Sequence, residues 1–476
     1  MSEAVEYKAD PQFATLGPDF SDPVAPAAFP QATERYWNAA WAAELGLEGL
    51  SAEERIKHFQ RFEPLADNQP EPLAMRYHGH QFRSYNPDLG DGRGFLFAQL
   101  RDRQGRLLDL ATKGSGQTPW SRSGDGRLTL KGAVREILAA NMLEALGVYT
   151  SKPFAIFETG EALQRNDEPS PTRSAVLTRL GHSHMRFGTF QRHAFENSPA
   201  RIGQLIEHCL ELYYPDVDAG EDPASALLKA VIEANAKLVA SWMAAGFVHG
   251  VLNTDNLNVT GESFDYGPWR FLPYYEPGFT AAYFDQTGLY AYGRQPEAVF
   301  WALQQFAGAL ALAGDQKQLL ADLNTFPAVY RAALLDAFMA RFGVTSAGRD
   351  EDEKLVRAYL AFMQDSLLPW EQVIFDHFCG EASFARAHAR GYKGDLYKAF
   401  RGMLFEREPV LPARLKHPIF KQDKPVSMVV DEVERVWDAI ADEDDWTPLN
   451  ALLGDVRAIG EGYGLGVERV GFIQPA

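Results

Sequence analysis

Two oxygen-bearing side chains near the middle of the chain, Asn256 and Asp265, stand nine residues apart in a loop-like stretch. A neutral amide oxygen and a carboxylate are ligand types that suit a hard divalent cation bound together with phosphate groups. Upstream, Lys113 ends an apolar run, Gly90, Gly92 and Gly94 precede another, and Arg179 and Arg186 follow a third. An ammonium, planar guanidinium forks and backbone N–H groups freed by glycine can neutralise a polyphosphate, although two such arginines serve equally well to cap helices or to pair with surface carboxylates. The chemistry within reach of this set is transfer of a phosphorus-containing group.

The spacing can be set against the phosphotransferase loop His-Gly-Asp-Leu-x-x-x-Asn. The stretch His249-Gly250-Val251-Leu252-Asn253-Thr254-Asp255-Asn256 matches it at His249, Gly250, Leu252 and Asn256, and places Val251 where the catalytic Asp belongs. Asp265-Tyr266-Gly267 then stands where kinases carry Asp-Phe-Gly, whose carboxylate shares the metal with the loop Asn. Metal binding is kept and the usual base is lost. His249 is expected to brace the loop by hydrogen bonds.

The elements that must position these residues can be read in order. Residues 1–30 hold five prolines and read as an extended surface arm. Helices are expected over 32–45 and 51–62, the second opened by Ser51 with Glu54 three residues on, a capping box. The glycine turn 89–94 leads into strands 95–100 and 107–112, the second ending at Lys113. Glycines before a strand also mark ordinary hairpins; Lys113 is what ties this turn to phosphate. The segment 114–127 is a second glycine-rich loop, without the Gly-Lys-Ser/Thr of a Walker loop. It reads either as a flexible surface loop or as a cover over one side of a nucleotide. A helix over 130–146, stopped by Gly147, carries Glu136, which either pairs with Lys113 as the corresponding Glu does in kinases or is a solvated surface residue. Strands 154–159 and 174–179 follow, joined by the turn-rich 166–171, and a long helix over 224–245 delivers the chain to His249. Asp285 to Gly288 form a turn, and residues 296–476 read as mainly helical with acidic loops.

Composition bounds the partners. The chain has 476 residues, 46% of them hydrophobic, and a formal net charge of −18. An acidic excess of that size disfavours nucleic acid and anionic membrane, which need a basic face. No apolar run reaches the roughly 18 residues of a spanning helix, and the N-terminal residues lack the layout of a secretory signal, so a cytoplasmic protein is expected. Cys209 and Cys379 are too far apart for a zinc or redox motif and are expected to be buried thiols. No repeat or long heptad run is present.

Taken together, the strings from Gly79 to Arg127, Arg135-Glu136, Leu177 to Arg179, Arg186 to Gly188, His249 to Asn256 and Asp265 to Pro268 resemble the selenoprotein O (SelO, YdiU) pseudokinase family. The resemblance covers roughly residues 12–310 and fades beyond; residues 83–86 depart from it, and no selenocysteine-like terminus is present. It implies an α+β, protein-kinase-like two-lobed fold with a helical C-terminal extension: arm and helices over 1–75, small lobe over 76–186, large lobe over 187–310 and helices over 311–476. It implies that ATP binds in a flipped orientation and that AMP is transferred to protein hydroxyls. By the resemblance Gly90, Gly92, Arg93, Lys113, Asp125, Gly126, Arg179, Arg186 and Asp265 would contact ATP, Glu136 would pair with Lys113, Asn256 and Asp265 would hold Mg²⁺ or Mn²⁺, and Asp255 would take the proton of the acceptor hydroxyl. Partners would be ATP and hydroxyl-bearing proteins, with the enzyme a monomer. Two other readings stay open: a conventional kinase using Asp255 as a displaced base, and a nucleotide-binding scaffold without activity. The residues leave AMP and UMP, and Ser, Thr and Tyr acceptors, undistinguished.

Overall fold

A computed structural model describes residues 5–465. Its centre is an eight-stranded antiparallel sheet. Strands β1 (Ser21–Pro23), β2 (Thr33–Trp37) and β3 (Leu73–Met75) come first, then a separate hairpin of β4 (Gly79–Gln81) and β5 (Ser84–Asn86). Strands β6 (Leu96–Arg101), β7 (Leu107–Lys113), β8 (Leu128–Thr129), β9 (Lys152–Leu163) and β10 (Thr172–Gly181) complete the sheet in the order β1-β3-β6-β7-β10-β9-β2, with β8 beside β10. The antiparallel register sets Leu177 opposite Lys113 and Arg179 opposite Ala111, so Lys113 and Arg179 stand two positions apart on neighbouring strands and on one face of the sheet.

Two N-terminal expectations need correction. The helix expected over 32–45 is strand β2 followed by the short helix α1 (Ala39–Glu44). Thr33, Tyr36 and Trp37 are β-branched or aromatic residues that fit a pleated edge, and Trp37 packs on Phe59 and Phe154 at 5.2 and 4.9 Å. The expected surface arm supplies β1 and buries Phe13, Leu16 and Phe20. Helix α2 (Ala52–Phe59) has the expected capping box, with Ser51 and Glu54 satisfying each other's backbone N–H groups.

Helix α3 (Leu130–Ala145) starts at Thr129, whose hydroxyl accepts the Gly132 N–H at 3.1 Å, and buries its Val134, Ile137, Leu138 and Met142 stripe against the sheet. Helices α4 (Phe187–Phe195), α5 (Pro199–Tyr213) and α6 (Pro223–Ala245) follow. Asp222 caps α6, and Gly246 ends it in the left-handed region at φ 67°. The short strands β11 (Phe247–Val248) and β12 (Arg270–Phe271) pair with each other and pin both ends of the loop between them. As expected, the rest is helical: α7 (Gln295–Leu310), α8 (Gln316–Leu323), α9 (Phe326–Phe342), α10 (Arg349–Ser366), α11 (Trp370–His377), α12 (Phe384–Ala389), α13 (Asp395–Phe405), α14 (Val430–Glu443) and α15 (Thr447–Tyr463).

One continuous core joins the inner face of the sheet and α3 to α5, α6 and α7, and takes in Val433, Val436, Ile459 and Tyr463 of the last two helices. A second, aromatic core fills the outer face of the sheet under α1 and α2. Each fully buried aromatic ring there contributes on the order of 2 kcal/mol of transfer free energy. The last two helices pack on α3. Lys131 binds Glu434 at 2.6 Å, and Asp444 binds Arg173 and Arg35 at 2.7 and 3.1 Å, so the chain's end is tied to the sheet. Both cysteines are buried and free, and among the described residues no helix is long and apolar enough to cross a membrane.

Candidate active site

A cleft of about 730 Å³ opens where Lys113 of β7 and Arg179 of β10 face the loop between β11 and β12. Ten residues singled out from the sequence line it: Gly90, Gly92, Arg93, Lys113, Asp125, Gly126, Arg179, Arg186, Asp255 and Asp265. Glu136 and Asn256 stand just behind this lining. Glu136 is 2% exposed and binds the Lys113 ammonium, so it is a buried partner and no solvated surface residue. The Asn256 amide donates to the Val251 carbonyl at 3.0 Å, which leaves its oxygen to face elsewhere.

Asp265 is the electrostatic centre. Lys113 lies 2.9 Å and Arg179 3.2 Å from its Oδ1, and its backbone holds φ at 61°. A non-glycine residue in the left-handed region is strained, and such strain collects at sites whose surroundings impose it. Burial works to raise its pKa, but the charges of Lys113, Arg179, Arg186 and Arg93 hold it well below the usual carboxylate range. Tyr266 next to it is buried with its hydroxyl on Thr150, and Arg135 of α3 donates to the Trp269 carbonyl at 3.1 Å. The segment carrying Asp265 is thus fastened to the same helix that carries Glu136.

Asp255 lies in a different field. It is 9% exposed, and burial with the nearby Asp265 charge pushes its pKa up to about 6 against the pull of Arg186. Its Oδ1 has no hydrogen-bond partner among the described residues. Arg186 donates to the Asp255 backbone carbonyl at 2.9 Å and binds Asp91 at 3.2 Å, while its guanidinium lies over Tyr77 and Phe264 at 4.5 and 5.0 Å. The Arg186 Nε is likewise unpartnered. Buried polar atoms without protein partners call for water, an ion or a ligand to complete them. Val251 packs its side chain against the core, so the position of the usual kinase base is apolar. His249, 1% exposed, lies 3.0 Å from the Phe264 carbonyl through Nε2 and braces the loop as expected.

The second glycine loop is folded over the first rather than loose on the surface. The Thr118 and Ser121 hydroxyls donate to the Asp91 and Gly92 carbonyls. The Trp120 ring lies against Gly90 so closely that a Cβ there would stand 2.4 Å from the ring. Trp120 is in turn held by Asp22 at 2.9 Å and by the Arg192 guanidinium at 5.0 Å. Gly126 has φ 70° and passes within 2.3 Å of Gly116 for any added Cβ, so both loop ends close only with glycine. Asp125 takes a forked pair from Arg165 at 2.8 and 3.1 Å.

The sequence reading passed over Asp91, Tyr77, Trp120 and Arg122, all of which line the cleft. Asp91 sits between two of the glycines already singled out, and its side chain accepts the Met75 N–H at 3.1 Å; an acid inside a candidate phosphate turn was the available signal. Among the described residues no group of three or more His, Cys, Asp or Glu forms a metal cage. Asn256 and Asp265 still fit Mg²⁺ or Mn²⁺, because such ions are ordinarily held by one or two protein oxygens with phosphate oxygens and water completing the shell.

Comparison with known proteins gives this arrangement its class. Residues 3–457 match the family described as protein adenylyltransferase SelO. The protein nucleotidyltransferase YdiU of Synechocystis sp. is 39% identical over 469 residues, covering 94% of this chain and 98% of that one. The protein of the same name from Synechococcus elongatus is 40% identical over 486 residues, covering 96% of each. The one from Gloeobacter violaceus is 40% identical over 468 residues, covering 94% of each. The chain is a nucleotidyltransferase, an enzyme that moves a nucleotidyl group onto an acceptor. It belongs to the SelO family. The match extends well past residue 310, where the motif resemblance was expected to fade, so α8 to α15 are part of the family's body and no unrelated extension.

Proposed function

We propose that the chain transfers AMP from ATP to a Ser, Thr or Tyr hydroxyl of a protein, with ATP seated so that its α-phosphorus faces Asp255. In this reading the sheet with α3 acts as the small lobe of a protein-kinase-like fold and the helical part as the large lobe. The observation that carries the proposal is the division of the cleft. Four cations act on Asp265, Lys113 and Arg179 in direct ion pairs, while Asp255 offers a buried carboxylate with a pKa of about 6 and a free oxygen. Val251 leaves no base at the ordinary kinase position.

Lys113, fixed by Glu136, and Arg179 would neutralise the β- and γ-phosphates deep in the cleft. Arg186, equally buried, and the exposed Arg93 would add to this, and the two glycine loops would close over the chain of phosphates. The chemistry a divalent cation supplies in such a site is neutralisation of charge on phosphate oxygens, and Asn256 and Asp265 are the side chains that would hold it. Asp255 takes the proton as the acceptor oxygen attacks the α-phosphorus; the bond from that phosphorus to the bridging oxygen breaks, and pyrophosphate leaves. A carboxylate with a pKa near 6 is largely ionised at neutral pH and still basic enough to help.

Labelled ATP tests this directly. Label at the α-phosphorus should enter protein, label at the γ-phosphorus should not, and the product should gain the mass of AMP. Incorporation of γ-label alone would make the chain a kinase with a displaced base.

A further inference from the structure

The β4–β5 hairpin is turned by Phe82 and Arg83, with φ of 50° and 65°. Two-residue hairpin turns with both residues left-handed ordinarily use Asn-Gly or Gly-Gly. A phenylalanine and an arginine there are strained, and strain of this kind persists only where the surroundings impose it. Here the surroundings are the active-site loop. The Phe82 N–H donates to Asn253 Oδ1 at 3.0 Å and the His80 N–H to Thr254 Oγ1 at 2.8 Å, the two residues before Asp255. Gly79 runs so near that a Cβ would stand 3.1 Å from Asp255 Oδ1.

The strained turn presents an aromatic surface. Phe82 is 38% exposed, with Phe284 at 5.9 Å; Phe284 is 47% exposed, with Tyr283 at 5.2 Å; Tyr283 is 83% exposed. Tyr290 closes the base of this ledge, 5.0 Å from Phe82, with its hydroxyl donating to Asn253 Oδ1 at 2.8 Å. None of the three exposed rings lines the cleft, so a nucleotide bound there has no need of them. Contiguous exposed aromatic rings mark a place where another molecule is bound.

We infer that this ledge docks the acceptor protein, holding a large apolar side chain next to the hydroxyl that is to be modified. The inference rests on the proposed transferase reading. The occupant follows from continuity: the ledge is bonded to Asn253 and Thr254, so a segment lying on it is held beside Asp255, while the phosphate-binding residues lie within the cleft. Apolar rings recognise apolar side chains and leave the choice among hydroxyl residues to the reach of Asp255.

The test uses the full chain, α-labelled ATP and synthetic peptides that each carry one Ser, Thr or Tyr flanked by Phe, Leu, Ala or Asp. Peptides with Phe or Leu beside the hydroxyl should be modified about tenfold faster than those with Ala, the low end of what one apolar group contributes to specificity. In Phe284→Ala and Tyr283→Ala this preference should shrink to about twofold, with ATP affinity by calorimetry unchanged. Label without any flank preference in the wild type, or a preference that survives in both variants, overturns the docking surface. Weakened ATP binding in the variants also overturns it, by making the ledge part of the nucleotide site. Self-association that disappears in the variants, with a flat flank preference, would assign the ledge to a second copy of the chain and overturn it too. A wild type that labels no peptide at all removes the transferase reading itself, an outcome distinct from label without preference.

Discussion

The two ends of the cleft hold carboxylates on one loop, in one enclosure, with opposite electrostatics. Asp265 meets Lys113, Arg179, Arg186 and Arg93 and stays ionised far below its ordinary pKa. Asp255 meets burial and the charge of Asp265 itself, and Arg186, a backbone hydrogen bond and Arg122 offset them only in part. The difference comes from where neighbouring elements end: β7 and β10 deliver their cations to one side, and the glycine at position 79 and the apolar Val251 leave the other without them. Two acids can share a site and take different tasks when their environments separate their pKa values. One is suited to holding charge in place, the other to accepting a proton.

Substitution at each end should separate these tasks. The largest effect is expected for Asp265→Asn: it removes the anion that pairs with Lys113 and Arg179, so transfer should fall by about a thousandfold or more, and the thermal midpoint should drop because Lys113 and Arg179 are left facing each other. Asp255→Asn should lower kcat by about 10²- to 10⁴-fold while ATP affinity, measured by calorimetry, changes little. Equal losses of ATP affinity in both variants would erase the distinction between the ends. Lys113→Ala, and Arg179→Ala combined with Arg186→Ala, should each lower kcat/KM by at least about tenfold; full activity in the double variant would return both arginines to a structural role. Trp120→Ala should raise the KM for ATP by about three- to fivefold, with kcat nearly kept, because it only loosens the fold of one glycine loop over the other. The smallest effect is expected for Val251→Asp, which should give no gain in transfer; a rise would move the acceptor hydroxyl to the kinase position.

Much of this site was legible in the chain because its parts are local. The spacing of Asn256 and Asp265, the lysine at a strand end and the Ser51–Glu54 capping box are all decided within a few residues. The Lys113–Glu136 pair was legible because a helix after a strand returns to that strand's end. What escaped reading depends on distant partners. Strand β2 needs β9, over a hundred residues away, to be a strand at all. Trp120 reads as a loop aromatic until Asp22 and Arg192 are brought to it. The inverted pKa values of Asp255 and Asp265 depend on the ends of two strands and on a hairpin, and no window of sequence contains them together.

The anchoring of α14 and α15 on α3 bears on how the molecule comes into being. Helix α3 carries Glu136 and is packed from behind by residues synthesised about three hundred positions later, with Lys131–Glu434 on α3 and Arg173–Asp444 on β10 as clasps. At about 5–20 residues per second, the cation-rich wall of the cleft emerges tens of seconds before its backing does. The nascent enzyme is therefore expected to handle ATP only when its chain is nearly complete. Stalled ribosome complexes carrying the chain up to residue 420 or to its end would show this, with protection by ATP against proteolysis appearing only in the longer one. Equal protection in both would mean that the wall holds its shape alone.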